Sequence, residues 1–309
     1  MFDYSTTTAD IIELFKTREN ALPLRNEKCR SKFYFQPHPA PKVFLCFHGF
    51  TAGPYQFEPL GEALFQSGYN VLVPLQPGHG VAGNWSRNNP PPLPTDPQVY
   101  KQFVLDWVQQ AKPLGKQLVI AGYSTGGTLA AWLAQEHGQQ IEKTLLFAPY
   151  LRGNNKLVDW LVQTLPFYYE WFNKDNPGNF GYEGFMIPVL RLFLDMGQQI
   201  LDRAKNTPAT PMLIVSSESD RATNLQKQRD LFEAVLKHQP TSWYHCFDKK
   251  LNIPHTMMTE AEGNNYLHQL ITLATTYIES NQTWTQVKEK GLLLDPSRAR
   301  LNHNGTDRE

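Results

Sequence analysis

The stretch KQLVIAGYSTGGTLAAWLAQEHG, residues 116–138, places three of its four glycines close to one serine, Ser124. It starts as an apolar run typical of a buried strand and continues as a helix-forming segment that stops at Gly138. The letters between them, GYSTG at 122–126, fit the pattern G-x-S-x-G. We expect a sharp turn from strand to helix with Ser124 at its apex, because small residues on either side leave room for the turn. The start of the helix would point free N–H groups at an anion formed near Ser124.

Apolar runs and helix-like segments alternate on both sides of this turn. Such alternation implies crossover connections and a mostly parallel central sheet flanked by helices, so the fold class is α/β. Short apolar runs that end at glycine or proline are typical of strands buried on both faces. The expected strands are CRSKFYFQ, VFLCFH, YNVLVP, KQLVIAGYS, IEKTLLFAP, PMLIVSSES and SWYHCF.

The alternation breaks between residues 150 and 208. This segment has a helical pattern, is dense in aromatic residues (WLVQTLPFYYEWF), and is divided by the loop-like NKDNPGNFGYEG. We interpret 150–208 as a helical cap inserted between two parts of the core, 1–149 and 209–280. Residues 281–309 form a polar C-terminal tail that we expect to be loosely held.

Composition excludes several classes of protein. The 309 residues are 41% hydrophobic, which suffices for a large core, and 29 basic side chains balance 29 acidic ones. This balance gives no reason to expect nucleic acid as a partner. Three cysteines do not form a disulfide framework. The first residues lack the pattern of a signal peptide, and no apolar run is long enough to span a membrane, so we expect no integral membrane association and a cytoplasmic location.

Taken together, the motifs resemble the α/β-hydrolase family over about residues 30 to 280. The resemblance depends on FHGFTAG at 47–53, GYSTGG at 122–127, SSESD at 216–220 and NIPHTMM at 252–258, with PGHG at 77–80 of the same kind. Within the family the chain looks most like small carboxylesterases and monoacylglycerol-lipase-type serine hydrolases. The family implies an α/β-hydrolase fold with a catalytic triad in the chain order serine, acid, histidine.

The resemblance makes Ser124 the nucleophile and His255 the base, because His255 lies in a loop after the last expected strand. Asp220 is the favoured acid, since it follows a strand at the sheet edge where catalytic groups of parallel sheets collect. Glu218 is a rival carboxylate, and Asp220 could instead cap the following helix. Arg221 could also draw Asp220 into a surface ion pair.

The family also implies an oxyanion hole made of two backbone N–H groups, here those of Phe50 and Thr125. The residues that support this hole and the turn at the serine are His48, Gly49, Gly122 and Gly126. His79 could be mistaken for a metal ligand, but no second ligand stands at a suitable spacing, so we expect no metal and no cofactor. We expect the loop of His79 to border the site and to order it.

The implied function is hydrolysis of a carboxylic ester with a hydrophobic acyl or alcohol part, through an acyl-enzyme intermediate. An acyltransferase, or a thioesterase, amide or carbon–carbon hydrolase, could use the same triad, and a catalytically silent binding protein could keep the fold. The sequence leaves the oligomeric state open. The candidate residues for a substrate pocket are Tyr123, Trp160, Leu165, Phe167 and Trp171, together with Leu161, Tyr168 and Phe172 of the same aromatic segment.

Overall fold

The computed structural model describes residues 3–154, 156–171 and 178–291, apart from the side chains at 156–158 and 161. Its strands are β1 (Lys32–Tyr34), β2 (Ala40–Phe47), β3 (Asn70–Val73), β4 (Gly115–Tyr123), β5 (Lys143–Phe147), β6 (Tyr168–Glu170), β7 (Gly184–Met186), β8 (Met212–Ser217) and β9 (Trp243–Phe247). Its α-helices are α1 (Tyr4–Asn20), α2 (Glu58–Gln66), α3 (Pro97–Ala111), α4 (Thr125–Glu136), α5 (Lys156–Thr164), α6 (Ile187–Ala204), α7 (Leu225–Leu236), α8 (Leu267–Glu279) and α9 (Trp284–Glu289).

Seven strands form one sheet in the order β1-β3-β2-β4-β5-β8-β9. Strand β1 runs antiparallel to β3, and the other neighbours are parallel, as the alternating pattern predicts. Strand β4 lies at the centre, with Gly122 level with Phe47 of β2 and Leu146 of β5. The sheet therefore delivers Ser124 to the middle of its carboxyl edge, where parallel sheets place their ligands.

Helices cover both faces of this sheet because its central strands are apolar on both sides. In β2, Leu45 belongs to the hydrophobic core on one face, and Phe44 and Cys46 belong to the core on the other. All three side chains are fully buried. This arrangement is why the strands appear in the sequence as continuous apolar runs instead of alternating ones.

The segment 150–208 contains α5 and α6, as its helical pattern predicts, and also an antiparallel hairpin formed by β6 and β7. The hairpin is not predicted by the sequence pattern. Tyrosine and phenylalanine favour strands, and in a short aromatic run their periodicity does not separate strand from helix. The division into 1–149, 150–208 and 209–280 stays a prediction. The Leu161 side chain and Phe172 lie outside the described residues.

Part of the predicted tail is not loosely held. Residues Trp284–Glu289 form α9, which begins with a capping box between Thr283 and Gln286. The ring of Trp284 contacts Phe232 of α7 at a centroid distance of 5.2 Å, and Val287 is buried. These two apolar contacts attach the segment to the core although its composition is polar. Residues 292–309 lie outside the described residues.

No helix in the part of the chain that the structure describes is long and apolar enough to cross a membrane.

Candidate active site

Ser124 occupies the turn between β4 and α4 in a backbone conformation that is unusual for serine. Its φ of 54° is positive, which costs a non-glycine residue about 1–3 kcal/mol and is concentrated at functional sites. The turn is closed by close backbone approaches: a Cβ on Gly122 would overlap the carbonyl of Gly126. Two backbone bonds hold the turn, from the Ser124 amide to Phe147 O and from the Tyr150 amide to Ser124 O, both 2.9 Å. The glycines of the motif are therefore steric requirements of the turn.

The three side chains that the sequence predicts as a triad lie in one hydrogen-bonded line. His255 Nε2 is 2.9 Å from Ser124 Oγ, and His255 Nδ1 is 2.8 Å from Asp220 Oδ2. These residues come from three separate parts of the sequence, the turn after β4, the loop after β8 and the loop after β9. With a neutral imidazole, Nδ1–H donates to the carboxylate and Nε2 accepts the serine hydroxyl proton, which is the arrangement a general base needs.

Asp220 is buried, with 4% of its surface exposed, and its carboxylate is fully hydrogen-bonded. Oδ1 accepts from the amides of Ala222 at 2.7 Å and Thr223 at 3.1 Å, and Oδ2 accepts from Thr223 Oγ1 at 2.6 Å as well as from His255. Burial raises the pKa of Asp220, but the charge of His255 and these hydrogen bonds outweigh it, so the pKa is lowered overall. Asp220 therefore stays a charged acceptor toward His255.

The alternatives for the acid have other positions. Glu218 is exposed, and its Oε2 accepts from the amide of Lys249 at 3.0 Å. Arg221 is exposed and forms no ion pair with Asp220 among the described residues. The N-cap of α7 is Asn224, not Asp220.

The two predicted N–H donors are both uncommitted. No hydrogen bond among the described residues uses the amide of Phe50 or that of Thr125. Thr125 is the first residue of α4, where amides lack a partner within the helix. A Cβ on Gly126 would overlap the carbonyls of Phe47 and His48, so α4 begins directly against the segment that leads to Phe50. Gly126 thus permits the close approach that an oxyanion hole needs.

Two buried histidines shape the loop that carries Phe50. His48 Nε2 accepts from the amide of Gln76 at 3.1 Å, and its Nδ1 lies 2.9 Å from Gly49 O. His79 Nε2 accepts from the amide of Thr51 at 3.2 Å, and its Nδ1 lies 3.0 Å from Pro77 O. Both rings are therefore neutral, with the proton on Nδ1. Burial lowers the pKa of both, that of His79 to about 4.

The sequence predicts that the loop of His79 borders and orders the site, but it does not indicate the particular contact, with the amide of Thr51. Because His79 accepts a hydrogen bond from the amide of Thr51, it holds the peptide group that directly follows Phe50. The PGHG motif was the available signal, since two glycines around a histidine indicate a tight loop. Gly78 and Gly80 indeed have positive φ angles of 71° and 69°.

The side chain of Tyr123, a candidate for the substrate pocket, points into the protein, and its pocket role stays a prediction. Its side chain is buried (2% exposed), and its hydroxyl donates to His255 O at 3.0 Å. Its ring also fills the space where a Cβ on Gly49 would lie, at 2.7 Å. As the last residue of β4, Tyr123 points into the protein and contacts both loops of the site, because neighbouring strand residues face opposite sides.

The other candidate pocket residues lie in the segment 150–208 with different exposure. Trp160 and Leu165 are 55% and 45% exposed, whereas Phe167, Tyr168 and Trp171 are half-buried. Trp171 Nε1 donates to Thr51 Oγ1 at 2.9 Å, which ties this segment to the loop of Phe50. Two surface clefts, one between α3 and α6 and one beside α1, are not lined by Ser124. The pocket residues stay a prediction.

The site does not contain a set of metal ligands among the residues that the structure describes. Within the described ranges, no group of three His, Cys, Asp or Glu side chains is placed to hold a metal ion. His48 and His79 lie close together, with ring centroids 5.1 Å apart, but their Nε2 atoms are already occupied by backbone amides. These two rings therefore act as hydrogen-bonding groups.

Comparisons with known proteins agree with this fold. Residues 42–187 match the family model described as the alpha/beta hydrolase fold. A metagenome-derived lipolytic enzyme, described with the pair LipS and LipT, superposes with a TM-score of 0.64 at 16% identity, covering 82% of this chain and 98% of its own. The monoacylglycerol lipase of Paleococcus ferrophilus superposes with a TM-score of 0.62 at 14% identity, covering 80% and 98%.

The chain therefore has the α/β-hydrolase fold. Within that fold it resembles monoacylglycerol-lipase-type enzymes: it is 29% identical over 110 residues to the thermostable monoacylglycerol lipase of Bacillus sp. (strain H-257). That match covers 33% of this chain and 39% of the relative. The shared part is thus well under half of the bacterial lipase.

Proposed function

We propose that this protein is a serine hydrolase that cleaves carboxylic esters with a hydrophobic acyl or alcohol part. The observation that carries the proposal is the position of His255, whose two ring nitrogens lie 2.9 Å from Ser124 Oγ and 2.8 Å from Asp220 Oδ2. The lipases and esterases among the proteins of similar structure support the same chemistry. The cytoplasmic location and the choice of substrate stay predictions.

In the proposed reaction, His255 Nε2 takes the proton of Ser124 while Ser124 Oγ attacks the ester carbonyl carbon. Asp220 holds the imidazole in the required tautomer and stabilises its charged form. The tetrahedral intermediate collapses when His255 returns the proton to the alcohol, which leaves an acyl-serine. Water then attacks the acyl group, gives its proton to His255, and the carboxylic acid departs as Ser124 regains the proton.

The amides of Phe50 and Thr125 are proposed to stabilise the oxyanion. Both belong to the backbone, and both are free of partners among the described residues. Removing one such donor typically costs on the order of 10²–10³ in turnover. The positive end of α4 adds a favourable field for the same negative charge.

The hydrophobic part of the substrate is proposed from the aromatic side chains of the segment 150–208, among them Phe167 and Trp171. Both pack against the hydrophobic core that includes Phe50, and Trp171 also bonds to Thr51 of the same loop. The bacterial relative that carries the name monoacylglycerol lipase points to the same kind of ester. Graded acyl chains would measure how much apolar length the site accepts.

The test is hydrolysis of p-nitrophenyl esters of increasing chain length by the wild type and by Ser124→Ala. We expect turnover in the wild type and a loss of at least about 10³-fold in the variant, because the nucleophile is removed. Ser67→Ala, a change of an exposed serine at the end of α2, is the matched control and should leave turnover unchanged. Equal turnover by Ser124→Ala and the wild type would refute the proposal.

A further inference from the structure

A buried carboxyl group, Glu262, stands between the two loops that the proposed reaction needs. It is 5% exposed; Oε1 accepts from Gln56 Nε2 at 2.8 Å, and Oε2 accepts from Thr259 Oγ1 at 3.0 Å. In the part of the chain that the structure describes, no hydrogen bond or ion pair joins it to a lysine or arginine. Burying a carboxyl group without a cation is unfavourable, and such groups are enriched at functional sites.

Gln56 connects this carboxyl group to the loop of Phe50. Its side chain is buried, and its Oε1 accepts from the amide of Gly49 at 2.9 Å. Gly49 directly precedes Phe50, the residue whose amide is the proposed oxyanion donor. A displacement of Gln56 would therefore move the peptide next to that donor.

Glu262 is in turn fixed to the loop of His255. Its backbone carbonyl accepts from Thr256 Oγ1 at 2.8 Å, and Thr256 directly follows His255. Its own amide donates to Thr259 Oγ1 at 3.1 Å. The hydrogen bond between Gln56 and Glu262 thus links two loops that are 206 positions apart in the sequence.

On the basis of the proposed serine-hydrolase function, we propose that Gln56 and Glu262 are positioning residues that hold the Gly49–Phe50 loop in place relative to His255. An oxyanion donor acts only when it lies about 2.7–3.1 Å from the developing charge. Catalytic groups must be held to about 0.5 Å, and loops hold such positions only when neighbouring side chains lock them. The Gln56–Glu262 bridge locks one loop against the other.

The ionisable groups that face Glu262 are the phenols of Tyr55 and Tyr123 and the imidazole of His255. Burial raises the pKa of both phenols well above the usual value, so they stay neutral near neutral pH. Burial likewise raises the pKa of Glu262 to about 7, against the opposing effect of its hydrogen bonds to Gln56 and Thr259. An added carboxyl group at position 56 would therefore meet another carboxyl group with no cation between them.

The test exchanges the two side chains. In Q56E two carboxyl groups face each other, and they hold together at low pH by sharing a proton and repel when it is lost. In the double variant Q56E/E262Q the bridge is rebuilt in reverse. The carboxylate at 56 accepts from the Gly49 amide and from the amide introduced at 262, whose oxygen accepts from Thr259.

For a p-nitrophenyl ester at pH 8.5, we expect kcat of Q56E to fall about tenfold or more, with KM changed by less than about twofold, as for a pair in direct contact. The ratio of Q56E to wild-type kcat should rise toward one near pH 6, where the shared proton is kept. The double variant should return to within about threefold of the wild type at both pH values.

The inference would be overturned if Q56E had the same kcat as the wild type at pH 8.5. It would also be overturned if the kcat of the double variant were as low as that of Q56E. If Q56E does not fold, E262Q is compared with E262L. E262Q keeps the bridge because its oxygen accepts from Gln56, so only E262L should lose about tenfold in kcat, and equal values would overturn the inference. An inactive wild type would instead refute the proposed function, which separates the two failures.

Discussion

The carboxyl edge of the sheet and the segment 150–208 are built in different ways. At the edge, Ser124, Asp220 and His255 are held by hydrogen bonds of 2.8 and 2.9 Å, and Asp220 alone accepts four. In the segment, Trp160 and Leu165 are about half exposed. The difference is that the proposed chemistry uses side chains fixed by hydrogen bonds, whereas two of the side chains proposed to select the substrate are exposed. Changes at the edge should therefore have much larger effects.

The largest expected effect is at Asp220. In Asp220→Asn the side-chain oxygen can still accept from the amides of Ala222 and Thr223, but its NH₂ group would face His255 Nδ1 and force the wrong tautomer. We expect kcat for a p-nitrophenyl ester to fall by about 10⁴, with the circular dichroism spectrum unchanged. Glu218→Gln, a change of the rival carboxylate, should keep wild-type kcat. An equal loss of kcat in Asp220→Asn and Glu218→Gln would contradict the assignment of Asp220 as the acid that contacts His255.

A smaller effect is expected at His79. His79→Phe keeps an aromatic ring but removes the acceptor of the Thr51 amide, so the adjacent Phe50 amide should shift. A displacement of about 1 Å costs up to about 100-fold, so we expect kcat to fall about 10- to 100-fold. His137→Phe, at the far end of α4, is the control. Unchanged kcat in His79→Phe would mean that the loop does not need this histidine.

The free energy of unfolding should depend on pH through the buried carboxyl group of Glu262. Its pKa is raised by burial from 4.5 to about 7, so the folded state binds the proton more tightly than the unfolded chain. The resulting stabilisation is complete below about pH 4.5 and is lost as the pH rises through about 7. As the pH rises from 4.5 to 8, the free energy of unfolding of E262Q should therefore increase relative to that of the wild type, by up to about 3 kcal/mol.

This gain is measured as the difference in Tm between E262Q and the wild type at the two pH values. Asp106→Asn, which changes an exposed carboxyl group on α3, should show no comparable trend. A Tm difference that stays constant from pH 4.5 to pH 8 would contradict the assignment of a buried, uncompensated carboxyl group.

The smallest effect is expected in the segment 150–208. Trp160→Ala and Leu165→Ala remove exposed side chains, so the free energy of unfolding should change by less than about 0.5 kcal/mol each. With short-chain esters, kcat should match the wild type, and a rise in KM confined to long-chain esters would support a pocket role. A large loss of kcat with short esters would remove the contrast between the two regions.

The sequence was sufficient to predict the parts of the molecule that depend on local pattern. The alternation of apolar runs predicted the parallel sheet, which the structure and the family match confirm. The hydrogen-bonded line of Ser124, His255 and Asp220 agrees with motifs that are each short and local in the chain. Their catalytic roles stay proposals until they are measured.

What the sequence could not predict depends on contacts between distant segments. Gln56 and Glu262 are 206 positions apart, and nothing in either local pattern indicates that they meet. The contact between the Tyr123 hydroxyl and His255 O likewise joins residues that are far apart in the chain. The docking of α9 was missed for the same reason, since one ring, that of Trp284, attaches a polar segment to the core.

The most direct test of the central claim is covalent labelling with a fluorophosphonate probe, with the modified residue located by mass spectrometry. We expect one phosphonyl group per chain, on Ser124, with labelling slowed at least about 10³-fold in His255→Gln because the base is removed. Labelling of another residue, or labelling of Ser124 at the same rate in His255→Gln and the wild type, would contradict it.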